Sequence, residues 1–122
     1  NIMTTLKVLQ TLLDVRDQAH LLHWNTTSDP EHRALNKFYD GWLDLTDTFV
    51  ETFQGKYGRI EGVCTIVVST GTSCRGYLTK LMEFLVVDID SIIDPKIDSD
   101  LENIIADMKQ LVNNTLYLLT LS

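Results

Sequence analysis

The chain has 122 residues, 44% of them apolar and 22% charged, with 10 Lys and Arg against 17 Asp and Glu for a net charge of −7. This length suits a single domain, residues 1–122, with a core of its own. The acidic balance argues against a sequence-independent nucleic-acid binder or an anionic-membrane binder, both of which need clustered Lys and Arg, and no apolar run approaches the ~20 residues of a membrane-spanning helix.

Residues 4–25 predict a helix. Val8, Leu12, Val15, Ala19 and Leu22 recur at spacings of 4, 3, 4 and 3, the period of one buried helical face. A second row, Ile2, Leu6, Leu9, Leu13, His20 and His23, lies about 130° around the helix at ~100° per residue. Two apolar faces imply two partners, the bundle core and something else.

Thr26 to Glu31 break the pattern. Asp29 suits an N-cap, Pro30 the first helical position and Glu31 the positive end of the helix dipole. The second helix is expected to run to about Gln54 and stop at Gly55, with Leu35, Phe38, Trp42, Leu45 and Phe49 as its core stripe. Residues 55–72, glycine-containing and β-branched, read as a long connection with an extended or short helical piece. Thr72 or Ser73 caps a third helix to about Ile93, ended by Asp94-Pro95. Ser99-Asp100-Leu101-Glu102 reads as a capping box opening a fourth. The expected fold is an all-α four-helix bundle. A long connection between helices two and three lets those two run parallel.

Two groups of residues carry chemistry. His20 and His23 lie one turn apart on the second row of helix one, with Asp17 on their flank and Trp24 next in the chain. Asp40, Asp44, Asp47 and Glu51 fall in a narrow arc of helix two, nearly opposite Trp42 and Phe49. Like charges at this spacing destabilise a helix by a few tenths of a kcal/mol each, and only Arg33 and Lys37 lie near. Such a stack asks for a cation or a basic partner surface. Imidazole and carboxylate together suit iron, manganese or zinc. His32 reads as a surface residue able to approach the same region. Cys64 and Cys74 read as reduced small hydrophobes in an intracellular protein. No nucleophile elbow, phosphate loop or His-Glu-x-x-His motif is present.

Ala19-His20-Leu21-Leu22-His23-Trp24-Asn25, then Ala34 to Trp42, then Asp47-Thr48-Phe49-Val50-Glu51 resemble the first two helices of Dps-type mini-ferritins, over roughly residues 15–60. The chain is also similar to small ferritin-like proteins of tailed phages. The family reads His-Trp-Asn, then His-x-x-x-Asp, then Asp-x-x-x-Glu. The resemblance implies a ferritin-like fold and iron as the bound metal. It further implies Fe(II) oxidation at a site between two subunits, helices one and two facing the twofold. His23 matches the first family ligand, Asp40 the third, and Asp47 and Glu51 the final acidic pair. His20 is a further candidate ligand, with Asp17, Trp24, Asn36 and Asp44 expected around the ion. Asn36 stands where the family has its second His, and the step from Asp40 to Asp47 is about one helical turn shorter than the family's. Helices three and four lack the Glu-x-x-His of full-size ferritins.

The expectation is therefore a homo-oligomeric iron-binding bundle in the cytoplasm, or in an infected host or virion if phage-encoded. Its rival is an inactive ferritin relative serving as a structural or interaction module, its acidic face meeting a basic protein.

Overall fold

A computed structural model of the protein describes residues 3–121, so Ile2 of the second row on helix one lies outside the described residues. Among them are four α-helices, α1 (Thr5–Asn25), α2 (Asp29–Tyr57), α3 (Cys74–Val86) and α4 (Ser99–Leu119), with a 3-10 turn at Asp88–Ile92 and no strand.

The apolar stripes become the core. Val8, Leu12, Val15, Ala19 and Leu22 from α1 meet Leu35, Phe38, Trp42, Phe49 and Phe53 from α2. Leu78, Leu81 and Leu85 from α3 and Leu101, Ile105, Met108 and Val112 from α4 close the bundle. Trp42 is the largest fully buried side chain. An aromatic of this size removes some 150–250 Å² from water, roughly 4–6 kcal/mol of apolar burial. Its indole N–H donates to the Leu12 carbonyl at 3.1 Å, tying the middle of α2 to the middle of α1.

Helix directions follow from what lies beside what. A three-residue link joins α1 to α2, so the two run antiparallel. The far end of α2 meets the start of α4 through Lys56 and Asp100, while Pro30 and Arg33 share a shallow groove with Leu118 and Leu121. The start of α3, Cys74, lies with Leu22, Asn25 and Glu31, and Ser91 and Ile92 lie with Met3 and Thr5. The order is up, down, down, up, with α2 and α3 parallel.

Residues 58–73 cross the length of the bundle beside α1. Gly62 sits against Leu6, whose methyl would stand 2.6 Å from a β-carbon there, and its φ of 133° suits glycine alone. Further along, Val67 N–H donates to Asp14 Oδ1 at 3.1 Å. The buried Gln18 amide accepts from Ser69 N–H and donates to Ser69 C=O, both at 2.9 Å.

Several element ends differ from the sequence expectation. The cap of α2 is Ser28, whose Oγ accepts from Glu31 N–H at 3.3 Å, one residue before Asp29; Asp29 instead pairs with Arg33 at 2.8 Å. Gly55 lies inside α2, which ends at Gly58 with a φ of 92°. An exposed helical glycine costs about 1 kcal/mol, and the extra turn brings Lys56 and Tyr57 to α4. The α3 cap is Ser73, but the helix stops at Val86, short of Ile93. Val86 and Val87 are stiff in a helix, and Asp88 and Asp90 would face the negative end of its dipole. The 3-10 turn still returns Ile89 to the core. At α4, Asp98 takes the cap position and Ser99 is already helical, so the expected capping box is not made.

Asp98 is engaged elsewhere. Fully buried, it accepts from Tyr57 OH at 2.6 Å and Asp94 N–H at 2.8 Å, and pairs with Lys56 Nζ at 2.6 Å. Lys56 also reaches Asp100 at 2.8 Å and the Ile97 carbonyl at 3.0 Å. This latch fastens the α3–α4 loop to the end of α2. Burial opposes ionisation of Asp98, but the Asp94 amide, Lys56 and Tyr57 outweigh it and hold the carboxyl down to about 2.

Two tests follow from these contacts. In urea titrations, Trp42→Phe is expected to lose about 1–3 kcal/mol of stability and Trp42→Ala about 3–5 kcal/mol. Because the unfolded Asp98 carboxyl titrates near ~3.9, the unfolded chain takes up its proton first as pH falls. The latch thus stabilises fully above pH ~4 and progressively less towards pH ~2. Asp98→Asn should flatten that acid limb while lowering the melting temperature at neutral pH.

Candidate functional site

The link Thr26-Thr27-Ser28 turns the chain so sharply that the last turn of α1 faces the first turn of α2. Thr26 Oγ1 receives Ser28 N–H at 3.1 Å and donates to the Glu31 carboxylate, while Ser28 caps α2. The carbonyls of the final α1 turn have no helical partner of their own, and His32 answers one of them.

His32 Nδ1 lies 2.8 Å from the His23 carbonyl, and His23 Nδ1 lies 2.8 Å from the His32 carbonyl. The rings stack at 3.7 Å between centroids, 19° from parallel. A carbonyl oxygen only accepts, so each Nδ1 carries the hydrogen. In the neutral rings each Nε2 then bears a lone pair.

Around this clasp lies an aromatic layer. Tyr39 meets His23 edge-on at 5.2 Å and stacks on His20 at 4.4 Å. The other contact of His20 is Trp24, at 4.1 Å, and Trp24 is 67% exposed. The centroids of His20 and His23 are 6.1 Å apart. Tyr39 OH donates to Asn36 Oδ1 at 2.8 Å, and the Asn36 amide lies 3.5 Å from Asp40. A polar thread therefore runs from Tyr39, which stacks on His20, through Asn36 to Asp40.

Asp40, Asp44, Asp47 and Glu51 are all exposed, and none has an ion pair among the described residues. Asp17 pairs with Arg16 at 3.0 Å, so the acceptors that orient His23 and His32 are backbone carbonyls rather than this carboxylate. Among the described residues no three His, Cys, Asp or Glu side chains gather as a ligand set. Both cysteines are free. Burial, with Glu31 beside it, pushes the Cys74 thiol up to about 12 and leaves it a poor nucleophile.

His32, a surface residue able to approach this region by its sequence, is exposed and stacks on His23, whereas Tyr39 carried no signal in the sequence. His32 shares with Asn36, Asp40, Asp47 and Glu51 an arc of about 100° on α2 at ~100° per residue, and that register was the available signal. Lys56 and Tyr57 had no such signal, because their partner Asp98 comes from a distant segment.

The clasp makes a spectroscopic prediction. Side-chain ¹⁵N spectra at pH 8 should show His23 and His32 protonated at Nδ1 and bare at Nε2; the opposite tautomer would break the assignment. His23→Ala should cost about 1–3 kcal/mol in urea titrations, since it strips the buried corner of a hydrogen bond and a stacked ring.

No helix among the described residues is long and apolar enough to cross a membrane. No curated protein and no solved structure matches the chain. Residues 23–119, beginning at His23 itself and running through α2, α3 and α4, match a family of unknown function, DUF5856, and the chain belongs to that family.

Proposed function

We propose that this protein is a ferritin-like bundle that binds a divalent transition metal, iron foremost, between copies of itself. His23 and His32 of one chain supply nitrogen, and Asp47 and Glu51 of a second copy supply oxygen, with Asp40, Asp44 and His20 at the margin. The observation that carries this reading is the reciprocal pair of Nδ1–H to carbonyl bonds at 2.8 Å. Metal-binding imidazoles commonly donate their second nitrogen to a carbonyl, which fixes the ring and leaves Nε2 for the ion.

Three further points support it. The parallel α2 and α3, joined by a connection the length of the bundle, suit the ferritin-like topology. Asp40, Asp44, Asp47 and Glu51 have no ion pair among the described residues, as expected of groups awaiting a cation. The family pattern can also be laid one turn earlier than Asn36 and Asp40. With His32 and Asn36 as its His-x-x-x-Asp pair, a histidine stands at the second ligand position, the missing turn moves from before Asp47 to between His23 and His32, and Asp47 and Glu51 take the final acidic positions. Asn36 then replaces the family's Asp, which removes one anion from the site.

Bound ferrous iron would supply the electron for oxygen reduction, and hard carboxylates suit the ferric product. The chain's own part is to hold. The clasp keeps both rings from turning, Tyr39 shields one edge, and the Tyr39–Asn36–Asp40 thread steadies the nearest acid.

The test is calorimetry with Fe(II) under anaerobic conditions, and with Co(II), whose visible spectrum reports nitrogen and oxygen ligands. His32→Ala, His23→Ala and Glu51→Gln should each weaken binding at least about tenfold. A wild-type protein that takes up neither ion would end this reading. An interaction module is favoured by the absence of a complete ligand set among the described residues of one chain. Its complex with a basic partner would dissociate with salt, whereas a metal-held assembly responds to chelator.

A further inference from the structure

Residues 62–69 run beside α1 in register: Gly62 at Leu6, Val67 at Asp14 and Ser69 at Gln18. Seven steps of this segment keep pace with twelve of helix. At 1.5 Å per helical residue that is about 18 Å, or roughly 2.6 Å per step, short of a strand's ~3.3 Å but well beyond a helix's rise, so the segment is extended. Burial alternates as in a strand, with Cys64 and Ile66 half-buried between exposed Val63, Thr65 and Val67. Val63 and Val67 are 92% and 71% exposed.

Backbone polar groups of a strand point alternately to its two edges. Val67 N–H and both polar groups of Ser69 are taken by Asp14 and Gln18, so one edge faces α1, whose side chains stand in for a neighbouring strand. The other edge carries the N–H and C=O of Cys64, Ile66 and Val68. None of these groups has a hydrogen bond among the described residues. An open, β-branched edge is a template for another strand.

We infer that residues 63–68 pair antiparallel with the same segment of a second copy, the twofold axis passing between the two Ile66 residues. Ile66 would bond to its counterpart, and Cys64 to the partner chain's position 68, so each free donor on one copy meets a free acceptor on the other. Charge selects a second copy as the occupant. The segment from Gly62 to Cys74 has no charged residue in a chain of net charge −7, so identical acidic molecules can meet there without like charges opposed. This pairing does not rest on the metal reading.

The test compares wild type with Val68→Pro, which deletes one N–H of the free edge and keeps an extended backbone. In sedimentation at low salt with chelator present, wild type should be a dimer and the variant a monomer with unchanged helical circular dichroism. A monomeric wild type, or a variant that stays dimeric, overturns the pairing. Should the variant not fold, amide exchange in the wild type decides. Protection of at least about tenfold at Cys64, Ile66 and Val68 supports the pairing, and free-amide rates there overturn it.

Discussion

The corner between α1 and α2 is the constraint on which the rest depends. Three residues link a helix of 21 to a helix of 29, too few for either end to satisfy its backbone with loop atoms alone. Two imidazoles resolve the difficulty by exchanging hydrogen bonds with each other's carbonyls, while Ser28 and Thr26 serve the amide side. With the corner held, α2 must return along α1, and Trp42 arrives opposite Leu12. The same bonds fix which nitrogen of each ring is free. Structure and candidate chemistry therefore rest on the same pair of side chains.

The opposite end of the bundle is secured by charge. Lys56 and Tyr57, one helical turn beyond where glycine content alone would end α2, converge on the buried Asp98. A buried carboxylate is tolerable only when paired and hydrogen-bonded, and here it also tethers the loop that starts α4. Between the two ends, parallel α2 and α3 require a connection that crosses the whole molecule. Its track is set by Gly62 over Leu6 and by the Asp14 and Gln18 side chains. Because these polar groups lie on one side only, the other edge of the segment is left bare.

The distribution of ligand types also has a physical cause. His23 is buried at the corner, where its ring stacks on the exposed His32 and the Nδ1–H groups of both have acceptors. The carboxylates lie further along α2 in water, where four anions can stand close without desolvation. Burial at the corner and solvation along α2 thus give His23 and the four carboxylates different surroundings.

Helix number and the core stripes were legible in residue order, because the 3.6-residue period of apolar side chains follows from helix geometry alone. The acidic arc and the His20 and His23 row were legible for the same reason. Element ends were less legible: at Gly55 and Ser99 a distant contact overrode the local signal, Asp98 drawing Lys56 and Tyr57 towards α4, and before Ile93 the paired valines and the acids after them ended α3 early. The pairing of His23 with His32 and the exposure of Val63 and Val67 were beyond such reading. Periodicity places side chains around one helix axis, but which backbone carbonyl an imidazole meets, and which edge of an extended segment stays uncovered, depend on atoms from other parts of the chain that only packing in three dimensions brings alongside.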